Sequence, residues 1–105
     1  MIDNAKDLFE YLGILIFFYS NEREPIHVHA KKGEFESKAE FYIINGEISE
    51  IKITSISGAR PLKGKDLKDF KVFLEMYPDK IVEKWISYFV YHKDVEFEKI
   101  TKRLK

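Results

Sequence analysis

His27 and His29 are two of only three histidines in a 105-residue chain, and they stand at i and i+2. In an extended segment this spacing sends both imidazoles to one face, with Cβ atoms roughly 6.5–7 Å apart. Ring nitrogens at that separation can converge on a single ion, as divalent metal sites built on sheets require. Two imidazoles do not complete a site. A third ligand has to come from Glu22 or Glu24 just before the pair, from Glu40 on a neighbouring strand, or from His92. The chemistry this set would support is metal-dependent hydrolysis, nuclease action included. His27 and His29 would hold the ion, Glu22 or Glu24 would complete the shell or act as general base, and Tyr19 would donate to the leaving group. A bound metal lowers the pKa of its water to about 7, which supplies a nucleophile without cysteine or serine. The alternative is a pair of polar residues on the solvated face of a sheet, with Asn21, Glu22 and Glu24 satisfying local backbone donors.

The composition narrows the other options. There is no cysteine, so thiol nucleophiles, cysteine-ligated zinc and disulfides are excluded, and a reducing cytoplasm is the expected setting. A hydrophobic fraction of 45% with 15% aromatic residues suits a folded chain, and the length suits one domain over residues 1–105. Eighteen basic side chains balance eighteen acidic ones, which argues against a protein built to coat nucleic acid. The balance hides an asymmetry: residues 1–57 carry 6 basic and 10 acidic groups, and residues 58–105 carry 12 and 8. No apolar stretch approaches the roughly 20 residues of a membrane helix, and the acidic start is unlike a signal peptide.

The elements that must position these residues follow from periodicity. Leu8, Phe9, Tyr11 and Leu12 behind Asp3 or Asn4 suggest a short helix over 3–12, ended by Gly13. Ile14 to Tyr19 is apolar at odd and even positions alike, the pattern of a central strand buried on both faces. Residues 20–25 form a polar loop, and His27 to Lys31 resumes extended structure. A third strand runs from about Ser37 to Ile44, with Ala39, Phe41 and Ile43 facing inward. Asn45-Gly46 predicts a type I′ turn, since both of its central residues need positive φ. The returning strand through Ile48, Ile51, Ile53 and Ile56 breaks its period of two near Ser49-Glu50, which predicts a bulge.

After a loop over 57–64 the period becomes helical. Leu67, Phe70, Phe73, Leu74 and Tyr77 mark a helix over about 64–77, and Pro78 opens a second one through Ile81, Val82, Trp85, Ile86 and Phe89. Val95, Phe97 and Ile100 read as a last strand. The expected fold is α+β: a mostly antiparallel sheet of four to five strands, a short N-terminal helix, and two C-terminal helices packed on one face. Two other motifs fail on inspection. Gly58 to Asp66 has five residues between its glycines and no hydroxyl after the lysine, so it is not a phosphate-binding loop. No serine sits in a nucleophile elbow. The lysines around the first C-terminal helix are interrupted by Asp66 and Asp69, as a solvated surface would be.

The run Phe17-Phe18-Tyr19-Ser20-Asn21-Glu22-Arg23-Glu24-Pro25-Ile26-His27-Val28-His29 resembles the signature of the family called domain of unknown function 4160. Ala39-Glu40-Phe41, Asn45-Gly46-Glu47, Pro61-Leu62 and Ile81-Val82-Glu83-Lys84-Trp85 extend the likeness over nearly the whole chain. The resemblance implies a small bacterial protein with no established activity. It also implies a gene neighbour encoding another small protein, in an arrangement likened to toxin–antitoxin modules. On that footing the chain is expected to be an interaction module. Its binding surface would be Tyr19, Asn21, Glu22, Pro25, His27 and His29, all of which match the family pattern, and its partner a small protein or RNA. Arg23 stands where many members have histidine, and Ile26 where proline is common; the first departure weakens a three-histidine centre and leaves Glu22 or Glu24 to complete it.

Overall fold

The computed structural model describes residues 4–22 and 25–104. Its elements in chain order are β1 (Ala5–Tyr11), β2 (Ile14–Tyr19), β3 (His27–Lys32), β4 (Phe35–Ile44), β5 (Glu47–Ser55), α1 (Gly64–Met76), α2 (Pro78–Phe89) and β6 (Glu98–Ile100). The fold is α+β, with a mixed six-stranded sheet in the order β5-β4-β3-β2-β1-β6 and two helices. Strands β1 to β5 form an antiparallel meander, and β6 adds in parallel beside β1.

The expected N-terminal helix is instead β1. The apolar residues at 8, 9, 11 and 12 imitate helical spacing because β1 carries a bulge: Asp7 pairs with Phe17 but Phe9 with Ile16, leaving Leu8 as the extra residue. The bulge lets the consecutive Leu8 and Phe9 both become fully buried. Gly13 closes a hairpin rather than a helix, with Leu12 and Gly13 at φ 50° and 83° as a two-residue turn demands. Asp3 lies outside the described residues, and the Asn4 carbonyl accepts from the Ser20 amide at 2.7 Å instead of capping a helix. The sheet is therefore wider than the expected four to five strands, and its β1–β6 pair makes it mixed.

Elsewhere local chemistry and structure agree. Asn45 and Gly46 sit at φ 53° and 82° in the β4–β5 hairpin. Ser49 is the bulged residue of β5, since Tyr42 faces Glu50 while Ile43 faces Ile48. Pro78 occupies the first turn of α2, where its missing N–H is harmless.

Alternation divides the sheet into two unlike faces. Ile14, Ile16 and Phe18 of β2, Val28 and Ala30 of β3, and Ala39 and Phe41 of β4 join Phe70, Phe73, Ile81, Trp85 and Phe89 of the helices in one core. Phe9 meets Phe73 at 5.1 Å between ring centroids, and Phe18 meets Phe89 at 4.9 Å. The opposite face carries the other phase of each strand: Leu15, Phe17 and Tyr19, then His27, His29 and Lys31, then Glu36, Lys38 and Glu40. The loop after β5 ties back to β4. The Glu36 amide donates to the Arg60 carbonyl at 2.7 Å, and the Leu62 amide donates to Ser37 Oγ at 2.9 Å.

Candidate metal centre

β2 ends in a tight turn in which the Glu22 amide donates to the Tyr19 carbonyl at 3.0 Å, swinging the Glu22 side chain back over the sheet. β3 then enters on a chain anchored by the bond from the Phe41 amide to the Ile26 carbonyl, 2.8 Å. These two devices bring Glu22 above the imidazoles of His27 and His29. Glu22 Oε1 lies 3.3 Å from His27 Nε2 and 3.1 Å from His29 Nε2, and the three ligand atoms all fall within 4.8 Å of one another.

The other ring nitrogens decide what these contacts are. His27 Nδ1 lies 2.6 Å from the Pro25 carbonyl oxygen, which can only accept, so Nδ1 carries the hydrogen. His29 Nδ1 lies 3.0 Å from Glu36 Oε2, and an ionised carboxylate is again an acceptor. In the neutral imidazoles these assignments leave both Nε2 atoms as lone pairs directed at a third acceptor, the Glu22 carboxylate. At His29 burial favours the neutral form. His27 and His29 are only 3% and 4% exposed. Burial pushes the His29 pKa below its ordinary value, and the nearby His27 adds to this, against the raising pull of Glu22 and Glu36.

Three acceptors facing one another repel unless a cation lies between them. Ligand atoms held about 2.1 Å from a metal are separated by about 3.0 Å at a right angle and about 3.4 Å at the tetrahedral angle. The two Glu22–imidazole separations, 3.1 and 3.3 Å, fall inside that interval, and all three atoms lie within 4.8 Å of one another. An Nδ1–H donated to a carboxylate and an Nδ1–H donated to a backbone carbonyl are also the outer contacts that metal-binding histidines make. Aromatic packing holds the rings in place: Phe17 stacks on His29 at 5.3 Å and 22°, and Tyr19 meets it edge-on at 4.8 Å and 78°. The Glu22 side chain is 48% exposed, so the cluster opens to solvent on that side.

Among the residues singled out from sequence, Glu22, His27 and His29 are brought together, and Tyr19 forms a wall. Pro25 contributes its carbonyl, while its side chain and that of Asn21 lie exposed at the rim. Glu24, like Arg23, lies outside the described residues. Glu40 stands across from His27 in register, but its carboxylate accepts from the Tyr42 hydroxyl at 2.8 Å and pairs with Lys38 at 3.4 Å. His92 is exposed beyond α2 and takes no part in the cluster. Glu36 was not anticipated. β4 begins two residues earlier than its apolar alternation suggests, and continuing the outward phase of Lys38 and Glu40 back to position 36 is the signal that would have found it.

Fold and cluster together define an α+β protein whose sheet carries a two-histidine, one-carboxylate site on the face away from its helices. The chain belongs to the family described as domain of unknown function (DUF4160), whose model matches residues 13–86 and so includes every residue of the cluster. Comparisons with curated proteins and with solved structures find no match. Among the described residues no helix is long and apolar enough to cross a membrane.

Proposed function

We propose that this protein binds a divalent metal through Glu22, His27 and His29 and uses it for hydrolysis. The observation that carries the reading is the convergence of two Nε2 lone pairs and one carboxylate oxygen, with both Nδ1–H groups already engaged elsewhere. Three protein ligands leave coordination positions for water and substrate, the arrangement of catalytic rather than structural zinc sites. Tyr19, whose ring meets His29 edge-on at 4.8 Å, is the residue that would serve the leaving group. Zinc titration of the metal-stripped protein tests this. One equivalent should bind to the wild type and none to His27→Ala/His29→Ala. Glu22→Gln, at a half-exposed position, should bind far more weakly. Equal and negligible uptake by all three proteins overturns the proposal.

The interaction-module reading takes second place for a physical reason. Imidazoles only 3% and 4% exposed cannot themselves touch a partner, which leaves exposed Asn21, Glu22 and Pro25 as its contact surface. That rim, and the gene neighbourhood the family implies, support a small protein partner. Co-expression with the neighbouring gene product followed by size-exclusion chromatography reads it directly, and independent migration at micromolar concentration removes it.

A further inference from the structure

Lys31, like Lys52 of β5, is a strand lysine that faces a glutamate in register yet has no ion pair among the described residues. It follows His29 by two residues and so shares its face, and its register partner on β4 is Glu36. A cross-strand ion pair would ordinarily form there. Glu36 instead turns its carboxylate to His29 Nδ1 at 3.0 Å, and among the described residues the Lys31 ammonium has no ion pair. Its neighbours differ: Lys32 pairs with Asp66 at 3.0 Å and Lys38 with Glu40 at 3.4 Å. Support of the metal centre has thus left one cation uncompensated beside it.

That cation lines a groove of about 230 Å³, together with Ala5, Asp7, Leu15, Phe17 and Tyr19. Phe17 and Tyr19 are the rings that pack against His29, so groove and metal centre share a wall. We propose that the groove is the substrate site of the metal centre and that it takes a small anionic molecule. Lys31 receives a carboxylate or phosphate group, and the apolar part lies against half-buried Leu15 and Tyr19. This rests on the metal-dependent reading above and adds the substrate class to it. The size admits one small group, below the usual range for larger organic ligands. The charge of the surroundings selects against a polyanion: Asp7 stands on the far rim, and Glu22, Glu36 and Glu40 share the sheet face. A nucleic-acid strand would have to pass all of those carboxylates, whereas a single acid group needs only the one cation at Lys31.

Calorimetric titration of the zinc-loaded protein with benzoate, inorganic phosphate and neutral benzamide tests the proposal, with zinc content measured first on every sample. Benzoate and phosphate should bind, and benzamide at least tenfold more weakly than benzoate. Lys31→Gln should weaken both anions tenfold or more, Lys31→Arg should retain them, and Lys38→Gln should match the wild type. Equal binding of benzamide and benzoate, or wild-type anion affinity in Lys31→Gln, overturns the anion site. If the wild type takes up no zinc, the metal reading fails separately. The same titration of the metal-free protein then decides the anion site: dependence on Lys31 supports it, and absence of binding overturns it.

Discussion

The two faces of the sheet are built from alternate residues of the same strands, yet they bury opposite chemistry. On the helix-covered face Phe18, Val28, Ala30 and Ala39 are fully buried in the apolar core, where Trp85 Nε1 is a buried polar atom without a hydrogen-bond partner. On the other face His27 and His29 are buried almost as deeply, against a carboxylate instead of a helix. Burying polar atoms in this way is costly unless every donor and acceptor is matched. The donors are matched, at Pro25 and Glu36; the acceptors meet only each other. The helix-covered face is closed by apolar packing, whereas on the other the proposed cation would match the converging acceptors.

The contrast predicts separable defects. Phe18→Ala should have the largest effect of any variant considered, because the side chain is fully buried between Tyr88 and Phe89 at ring distances of 5.1 and 4.9 Å. Removing a packed phenyl group costs about 3–5 kcal/mol through lost transfer energy and the cavity left behind. Urea unfolding should show this loss, while the fraction still folded should bind zinc with wild-type stoichiometry. Loss of zinc binding by folded Phe18→Ala would break the separation between the faces.

How much of this division could be read from the sequence depends on how local its causes are. The β4–β5 hairpin follows from Asn45-Gly46, and the bulge at Ser49 from the broken spacing of the isoleucines, because both are settled by a few consecutive residues. The spacing of His27 and His29 likewise places both rings on one face. β1 misleads because its bulge at Leu8 turns a period of two into something helix-like, and only the pairing with β2 resolves it. Glu22 was one of several carboxylates within reach, and its selection depends on the turn at Tyr19. Glu36 acts through register alone. It lies seven residues from His29, in another strand, and no motif joins them.

That register contact carries the next prediction. Glu36 is not a ligand; it holds His29 from the far side of the ring. Loss of such an outer contact typically weakens metal binding about 10–100-fold, or about 1.4–2.8 kcal/mol. Glu36→Gln should show this by zinc competition titration, with little change in metal-free stability, because the amide oxygen still accepts from Nδ1. Glu36→Ala should weaken zinc further. Unchanged zinc affinity in both variants would mean that the imidazole is oriented by Phe17 stacking alone.

The smallest expected effect concerns a carboxylate with the opposite fate from Glu22. Asp69 of α1 is as buried as the histidines, but it faces two permanent cations, Lys65 Nζ at 2.8 Å and Arg103 Nη1 at 3.3 Å. Burial by itself raises its carboxyl, and the bonded ammonium and the guanidinium outweigh that and hold it below the ordinary aspartate value. A folded-state pKa below the unfolded value of about 3.9 means that the unfolded chain takes up the proton first as pH falls. The contribution of Asp69 to stability is therefore complete at neutral pH and is lost as pH drops below about 4 through the folded value. Urea midpoints of wild type and Asp69→Asn should differ modestly at pH 7 and converge toward pH 2–3. Zinc affinity at pH 7 should be the same in both, since this three-residue cluster already holds its own cations. A gap that stays constant with pH would show that Asp69 acts by shape and hydrogen bonding rather than by charge, and would leave Glu22 without its structural counterpart.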